Sequence, residues 1–320
     1  MPKRRPERKR ATLRELSQIT GLSPAGVSYA LRGQRVSAET EARVRKEAER
    51  IGFRSDPIAR ALRGGRTELV GVVGGSLADH WHQQFVWNLQ RSLRRHGLRV
   101  VLADAGGDHL EELALAADLA ARRVDGLIVL PIDPAGAGWR PIVEGTPTVS
   151  VNASLQAPAG AIRFDAHRGI ELALEHLAAL GHRRILVLGG GPHAVPRRPG
   201  VVRRRCGFSS GEARAAVLPR LRSATPPSAV FALSDSIAYG VYEACRELGV
   251  EVPAQLSVAG FDDNPISRLL DPALTAVGWD TAGAATAAAD MLAAAIEGEP
   301  GGEVVIEPRL CVRASTAAPA

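Results

Sequence analysis

From residue 67 to the end the chain alternates between two patterns, and that alternation narrows the fold more than any other feature. Short apolar runs read as strands: "LVGVV" at 69–73, "RVVLA" at 99–103, "GLIVL" at 126–130, "TVSV" at 148–151, "RILVL" at 184–188, "AVFAL" at 229–233 and "LSVAGF" at 256–261. Between them, stretches near 83–96, 109–123, 168–180, 211–222, 236–248 and 283–297 read as helices. Continuously apolar strands need cover on both faces, and a repeated strand–helix order supplies it around mostly parallel sheets. Some 250 residues of such units predict two α/β lobes, with ligand held at the carboxyl ends of the strands.

The first 66 residues are of another kind. They hold 17 Lys+Arg against 7 Asp+Glu, whereas the rest of the chain holds 23 against 27. A head of charge +10 on a mildly acidic body faces a polyanion. "MPKRRPERKR" has no apolar segment behind it, and the chain has no apolar run long enough to cross a bilayer. No membrane partner is expected, and the expected location is cytoplasmic and nucleoid-associated. Cys206, Cys245 and Cys311 are odd in number and lack metal-type spacing. Neither a disulfide framework nor a structural metal is expected, and no cofactor.

Residues 1–10 read as a disordered basic tail, but structured signals begin at Thr12. Thr12 and Glu15 fit a capping box, and Leu13, Leu16 and Ile19 form the apolar stripe of a helix that stops near Gly21. Ser23 suits the N-cap and Pro24 the first position of a second helix, with Val27, Ala30 and Leu31 inward and Gly33 at its end. Ser37 opens a third helix carrying Val44, Ala48 and Ile51 as far as Gly52. The expected core is Leu13, Leu16, Val27, Leu31, Val44 and Ile51. Two short helices across a glycine turn, closed by a third, make a helix-turn-helix unit over 11–54. "DPIARALRGG" follows, with Asp56 as a cap and Gly64–Gly65 as a stop. It is too short to be a stable helix alone, so 55–66 reads as a hinge that folds only against something else.

The run "TLRELSQITGLSPAGVSYALRG…VSAETEARVRKEAERIGFRSDPIARALRGGRTELVGVV" resembles the amino-terminal signature of the lactose-repressor (LacI/GalR) family of bacterial transcription regulators. "RRVDGLIVLP", "FDAHRGIELALEHLAALGHRRILVLGG", "ALSDSIAYGVYEACRELG" and "LSVAGFDD" match landmarks of its effector domain, so the resemblance covers nearly the whole chain. It implies a two-lobed, periplasmic-binding-protein-like domain over 67–320, responsible for effector binding and dimerisation. Its amino lobe would span about 67–167 plus 281–299, and its carboxyl lobe about 168–280 plus 300–316. It further implies a homodimeric repressor on a palindromic double-stranded operator, governed by a small, sugar-like effector in the cleft.

By the same resemblance the second helix enters the major groove, and Leu62, with Arg63 beside it, wedges into the minor groove. The expected DNA contacts are Thr12, Ser23, Pro24, Ala25, Gly26, Ser28, Tyr29, Leu62 and Arg63. Pro24, Ala25 and Gly26 offer little side chain to base edges beyond an Ala25–thymine methyl contact. Tyr29 is left as the main polar reader, Ser23 and Ser28 fall on phosphates, and more of the specificity passes to DNA deformability. The expected effector contacts are Arg204, Asp262 and Asp165, whose guanidinium and carboxylates suit polyhydroxylated or nucleobase-like ligands, with Trp81 and His82 on the amino-lobe wall.

One departure from the family stands out. There, the helix begun by Arg-x-x-Gly-Phe is followed by a strand and a further helix. Here Phe208 runs straight into "SSGEARAAVLPRLRS". About twenty residues, the rest of one helix and a strand, are expected to be missing, with 189–205 a long loop and effector binding weakened or altered. Two rival readings are open to test. "LVLGGGPHA" fits a dinucleotide-binding G-x-G-x-x-A pattern, but Pro192, Pro196 and Pro199 oppose the helix that should hold the pyrophosphate. A solute-binding protein would account for the body but not for the basic head.

Overall fold

The computed structural model describes residues 11–31, 33, 35–53, 65–74, 76–77, 79–155, 159–190 and 195–319. They fall into two compact units divided between Thr67 and Glu68.

In the first unit, Thr12 closes its capping box with Glu15: the Thr12 amide donates to Oε2 at 2.7 Å and the Glu15 amide to the Thr12 hydroxyl at 3.2 Å. Helix α1 (Leu13–Thr20) ends at Gly21, whose φ of 68° lies in the left-handed region. Ser23 caps α2 (Pro24–Leu31) by accepting from the Gly26 amide at 3.1 Å. Ser37 caps α3 (Ala38–Ile51), which ends at Gly52. Leu16, Val27, Ala30, Val44 and Ala48 are the buried centre, with Leu13, Leu31 and Ile51 packed around it. Ile19, expected on the apolar stripe of α1, is exposed, because three helices this short bury only about two residues each; Ala30 and Ala48, small enough for close helix contact, take central places in the core.

The second unit holds two six-stranded sheets. Its elements are β1 (Leu69–Gly74), α4 (His80–Arg95), β2 (Arg99–Asp104), α5 (His109–Ala121), β3 (Gly126–Leu130), α6 (Trp139–Gly145), β4 (Thr148–Val151), β5 (Gly160–Phe164) and α7 (Ala166–Ala179). They continue with β6 (Ile185–Leu188), β7 (Val201–Arg204), α8 (Ser210–Leu221), β8 (Ala229–Ala232), α9 (Asp235–Leu248), β9 (Ser257–Asp262) and β10 (Thr275–Gly278). The last are α10 (Thr281–Ile296), β11 (Glu303–Ile306) and β12 (Arg309–Cys311). The amino-lobe sheet runs β11-β5-β4-β3-β1-β2, all parallel. The carboxyl-lobe sheet runs β12-β10-β9-β8-β6-β7, with only β12 antiparallel.

Helix α4 shows how one sequence face builds the core. Trp81, Phe85, Leu89 and Leu93 recur every four residues and are all buried, worth roughly 1.5–3 kcal/mol each. They join a cluster that continues through Phe164 and Ile162 to Phe261, Trp279 and Val277, so one core runs through both lobes.

Two expectations need correcting. Residues 303–306, assigned to the carboxyl lobe, form β11 and pair with β5 in the amino-lobe sheet; the chain crosses back only before β12. The segment 189–205 is not all loop, because β7 forms on its last residues, parallel to β6 and at the edge of the sheet. The strand thought missing is therefore present. Twelve residues, 189–200, make the β6-to-β7 crossover, and those described there form no helix. Twelve is about the minimum for a parallel connection, so it is this connection that is short.

Candidate functional site

On the first unit, Ser23, Pro24 and Ala25 are exposed and Gly26, Ser28 and Tyr29 half-buried. The start of α2 thus presents one small surface with few side-chain atoms. A Cβ built on Gly26 would meet only Ser23 Oγ at 3.4 Å and Leu22 Cβ at 3.5 Å, which is ordinary contact. Nothing inside the unit requires a glycine there. The Arg35 guanidinium lies 5.3 Å from the centre of the Tyr29 ring, so the tyrosine is braced by a cation from the turn after its own helix. Thr12 is the exposed cap of α1. Leu62 and Arg63 lie outside the described residues.

In the second unit, the chemistry gathers where the strand ends of both lobes meet. A cavity of about 310 Å³ is lined by Trp81, Gln84 and Asn88 of α4, by Asp262, Asp263 and Asn264 after β9, and by Trp279 and Asp280 after β10. Arg268 and Arg309 stand at the same opening. A larger depression, about 570 Å³, lies between α5 and α6, but it is lined by Leu113, Ala117, Pro141 and Ile142 and has no converging polar groups. The cavity beside Asp262 is the better ligand site.

Two of its lining residues, Trp81 and Trp279, belong to a column of aromatic rings. Trp81 stacks on Phe85 at 5.4 Å and meets Phe164 edge-on at 5.2 Å; Phe164 meets Trp279 at 5.3 Å, and Trp279 meets Phe261 at 5.4 Å. Trp81 is only 6% exposed, so it is core first and offers no open face to a sugar ring. The Trp81 Nε1 and Asn264 Nδ2 donors are buried without a hydrogen-bond partner beside this cavity, which suits a ligand bearing acceptor atoms.

Asp262 ends β9 with φ of 109°, and Asp263 follows at 52°, two consecutive non-glycine residues in the left-handed half of the map. Strain of this kind persists where surrounding structure holds it. Burial, with Asp79 and Asp235 nearby, raises the Asp262 carboxyl well above the usual range, opposed by a hydrogen bond from Trp279. Asp263 is held by Arg313 at 2.5 Å and Arg268 at 3.2 Å.

The holder is Asp235, fully buried at the start of α9. It accepts from the Asn264 amide and the Ser267 hydroxyl, both at 2.6 Å, and Gly260 leaves room for its Oδ1, which a Cβ there would approach to 2.4 Å. Burial pushes Asp235 up to about 7, against those two hydrogen bonds. Sequence reading passed over it; the only signal was a Ser-Asp pair at the end of an apolar strand.

The other expected ligand contacts are placed elsewhere. His82 Nδ1 faces Asp79 Oδ2 at 3.6 Å, and Asp79 caps α4 by accepting from the Trp81 amide at 2.8 Å. Burial raises Asp79, but the facing His82 and the Trp81 amide outweigh it and leave the carboxyl below its ordinary value. Asp165 caps α7, accepting from the Arg168 amide at 3.0 Å. Arg204 is exposed at the end of edge strand β7 and does not line the cavity. It sits on a strand, not on the helix from which the family's arginine would reach the cleft. Of the five, the structure brings together Trp81 and Asp262.

Comparison with known proteins agrees with this architecture. The model of "periplasmic binding proteins and sugar binding domain of LacI family" matches residues 67–211, and that of a periplasmic binding protein-like domain matches 174–316. The lactose operon repressor of Escherichia coli (strain K12) is 28% identical over 291 residues, covering 85% of this chain and 81% of that protein. The chain belongs to the LacI/GalR family. The HTH-type transcriptional repressor CytR of the same strain is 26% identical, covering 83% of this chain and 84% of the relative. A crystal structure of the Lac repressor dimer bound to operator and the anti-inducer ONPF superposes with a TM-score of 0.84 at 26% identity, covering 97% of this chain and all of that one. The relatives so matched are named as transcriptional or operon repressors. None of the helices among the described residues is long and apolar enough to cross a membrane.

Proposed function

We propose that this chain is a cytoplasmic, sequence-specific repressor that binds a palindromic operator as a homodimer through α2. The observation that carries this reading is the nearly bare first turn of α2, with Ser23, Pro24 and Ala25 exposed and Gly26 half-buried beside them, on a head of charge +10. A groove-facing helix needs that combination, because Lys and Arg bind the phosphates while a small surface lets the backbone approach the base edges. One recognition helix covers only a half-site, so two-fold symmetry supplies the second. Thr12, Ser23 and Ser28 serve the backbone, while Ala25, Gly26 and Tyr29 face the bases. Leu62, with Arg63, wedges the minor groove from the hinge.

The likeness to repressors of the lactose and ribose operons supports a sugar-like effector, and the cavity beside Asp262 is its place in this chain. Asp262, Asn264 and the Trp81 indole nitrogen would meet its hydroxyls. Because Arg204 is elsewhere and the aromatic column fills the lobe junction, the effector is small and contacts the column at its edge. Ligand held there biases one lobe against the other, which sets how the hinge presents the heads.

Selection of binding sites from random DNA by the full chain tests the reading. Two inverted half-sites at fixed spacing are expected, and enrichment of a single, non-palindromic site overturns it.

A further inference from the structure

Between Glu175 and Glu212 the chain holds seven arginines, Arg183, Arg184, Arg197, Arg198, Arg203, Arg204 and Arg205, and no Asp, Glu or Lys. They sit in a body that is acidic overall, so this stretch is an island of positive charge. The fold places them together. Arg183 and Arg184 lead into β6, and the Ile185 amide donates to the Gly200 carbonyl, which brings Arg197 and Arg198 beside them at the start of the β6–β7 pair. Arg203 to Arg205 stand at the far end of β7, the outermost strand of its sheet. Arg183, Arg184, Arg197, Arg204 and Arg205 are exposed. Arg198 reaches Glu175 at 3.9 Å and Arg184 donates to the Pro226 carbonyl, whereas Arg183, Arg197, Arg204 and Arg205 make no ion pair among the described residues.

A charged residue or two on an edge strand is the usual device against sheet-to-sheet pairing. Seven arginines with no acid among them exceed that need. The repulsion among them is a standing cost that an anionic partner relieves. Guanidinium forks match phosphate oxygens, and a strand pair four residues long carries them along roughly 13 Å. Duplex DNA presents one charge per about 1.7 Å of its axis, so several phosphates face such a strip at once. Phe208 is the one exposed aromatic among the described residues of the stretch, too few for the stacking platforms that hold single strands.

We propose that this arginine edge of the carboxyl lobe is a second DNA surface, which binds the phosphate backbone of a duplex other than the one held by the heads. It is independent of the operator reading, since no residue of the head takes part. A repressor so built holds its operator through the heads and gathers a second DNA segment through the carboxyl lobe.

The test uses the full chain loaded on an immobilised short operator, followed by a labelled non-operator duplex at 50 and 200 mM salt, with operator loading measured separately. Wild-type protein is expected to capture the second duplex. Arg197→Ser, Arg204→Ser and Arg205→Ser together change exposed side chains without ion pairs, so operator affinity and melting temperature are expected to stay within twofold and within 2 °C or so. Loss of three phosphate contacts is expected to lower the slope of log K against log salt by about 2.7, and capture at 50 mM by at least tenfold. The same duplex is also titrated onto protein tethered by a carboxyl-terminal tag, where the wild-type and triple-variant slopes again differ if the surface is real, whether or not the operator is loaded. Equal slopes for the two proteins, or preferential binding of single-stranded DNA or polyglutamate at the arginine edge, overturn the proposal.

Discussion

Gly26 has room for a methyl group within its own unit, and its backbone is ordinary helix, so neither packing nor φ explains it. An alanine there is worth roughly 0.5–1 kcal/mol of added helix stability. If the position lies against DNA, the same methyl group pushes the helix off the bases. Gly26→Ala is therefore expected to raise or preserve the melting temperature while weakening operator binding about tenfold, a loss of about 1.4 kcal/mol. Thermal denaturation and binding anisotropy on one preparation separate the two effects. Asp235 offers a second residue-scale test. Its folded-state carboxyl titrates near 7 rather than at the ordinary value of 3.8, so folding takes up a proton between those limits. Its contribution is fully present below about pH 4 and is lost as pH rises through 7, at up to about 1.4 kcal/mol per pH unit. Asp235→Asn removes this dependence. Its stability is expected to fall less than that of wild type between pH 5 and 7.5 in denaturant titrations; parallel curves would refute the assignment.

At the scale of elements, the aromatic column joins the two lobes through contacts of Phe164 and Phe261 with Trp279. Trp81→Ala removes a buried ring that touches Phe85 and Phe164, and the expected cost is about 3–5 kcal/mol in denaturant unfolding. A loss under 1 kcal/mol would mean that the lobes close without it. In the hinge, Leu62→Ala is expected to lower operator affinity and DNA bending together, measured by anisotropy and circular-permutation gel shift. Unchanged bending would remove Leu62 from the wedge. Other elements mark what was legible in sequence. Buried parallel strands such as Leu127 to Val129 announce themselves as apolar runs, and caps such as Thr12 and Ser37 mark helix starts. Strand β7 did not, because an edge strand alternates: Val201 and Arg203 are half-buried while Val202 and Arg204 face solvent. Read as loop, it made Arg204 look like a helix-borne ligand contact. Trp81 likewise could be a sugar platform or core on sequence alone, and only its ring neighbours decide for core. Asp235 was missed because its partners, Asn264 and Ser267, lie about thirty residues further along the chain.

For the whole molecule, the two units divide the work by composition as well as by fold. The head carries the excess positive charge and a small five-residue buried centre, whereas the body carries two sheets, parallel but for β12, and a core that continues from one to the other. A head of this kind recognises DNA chiefly through phosphates and a short reading surface, so its affinity falls steeply with salt while its preference for the right sequence persists. The central claim is that this chain is a sequence-specific repressor, and the most direct measurement is competition between its selected operator and scrambled DNA at 150 mM salt. The expected result is a preference of at least about 10³-fold with two protomers per operator. Equal affinity for the two DNAs, or one protomer per site, would contradict it.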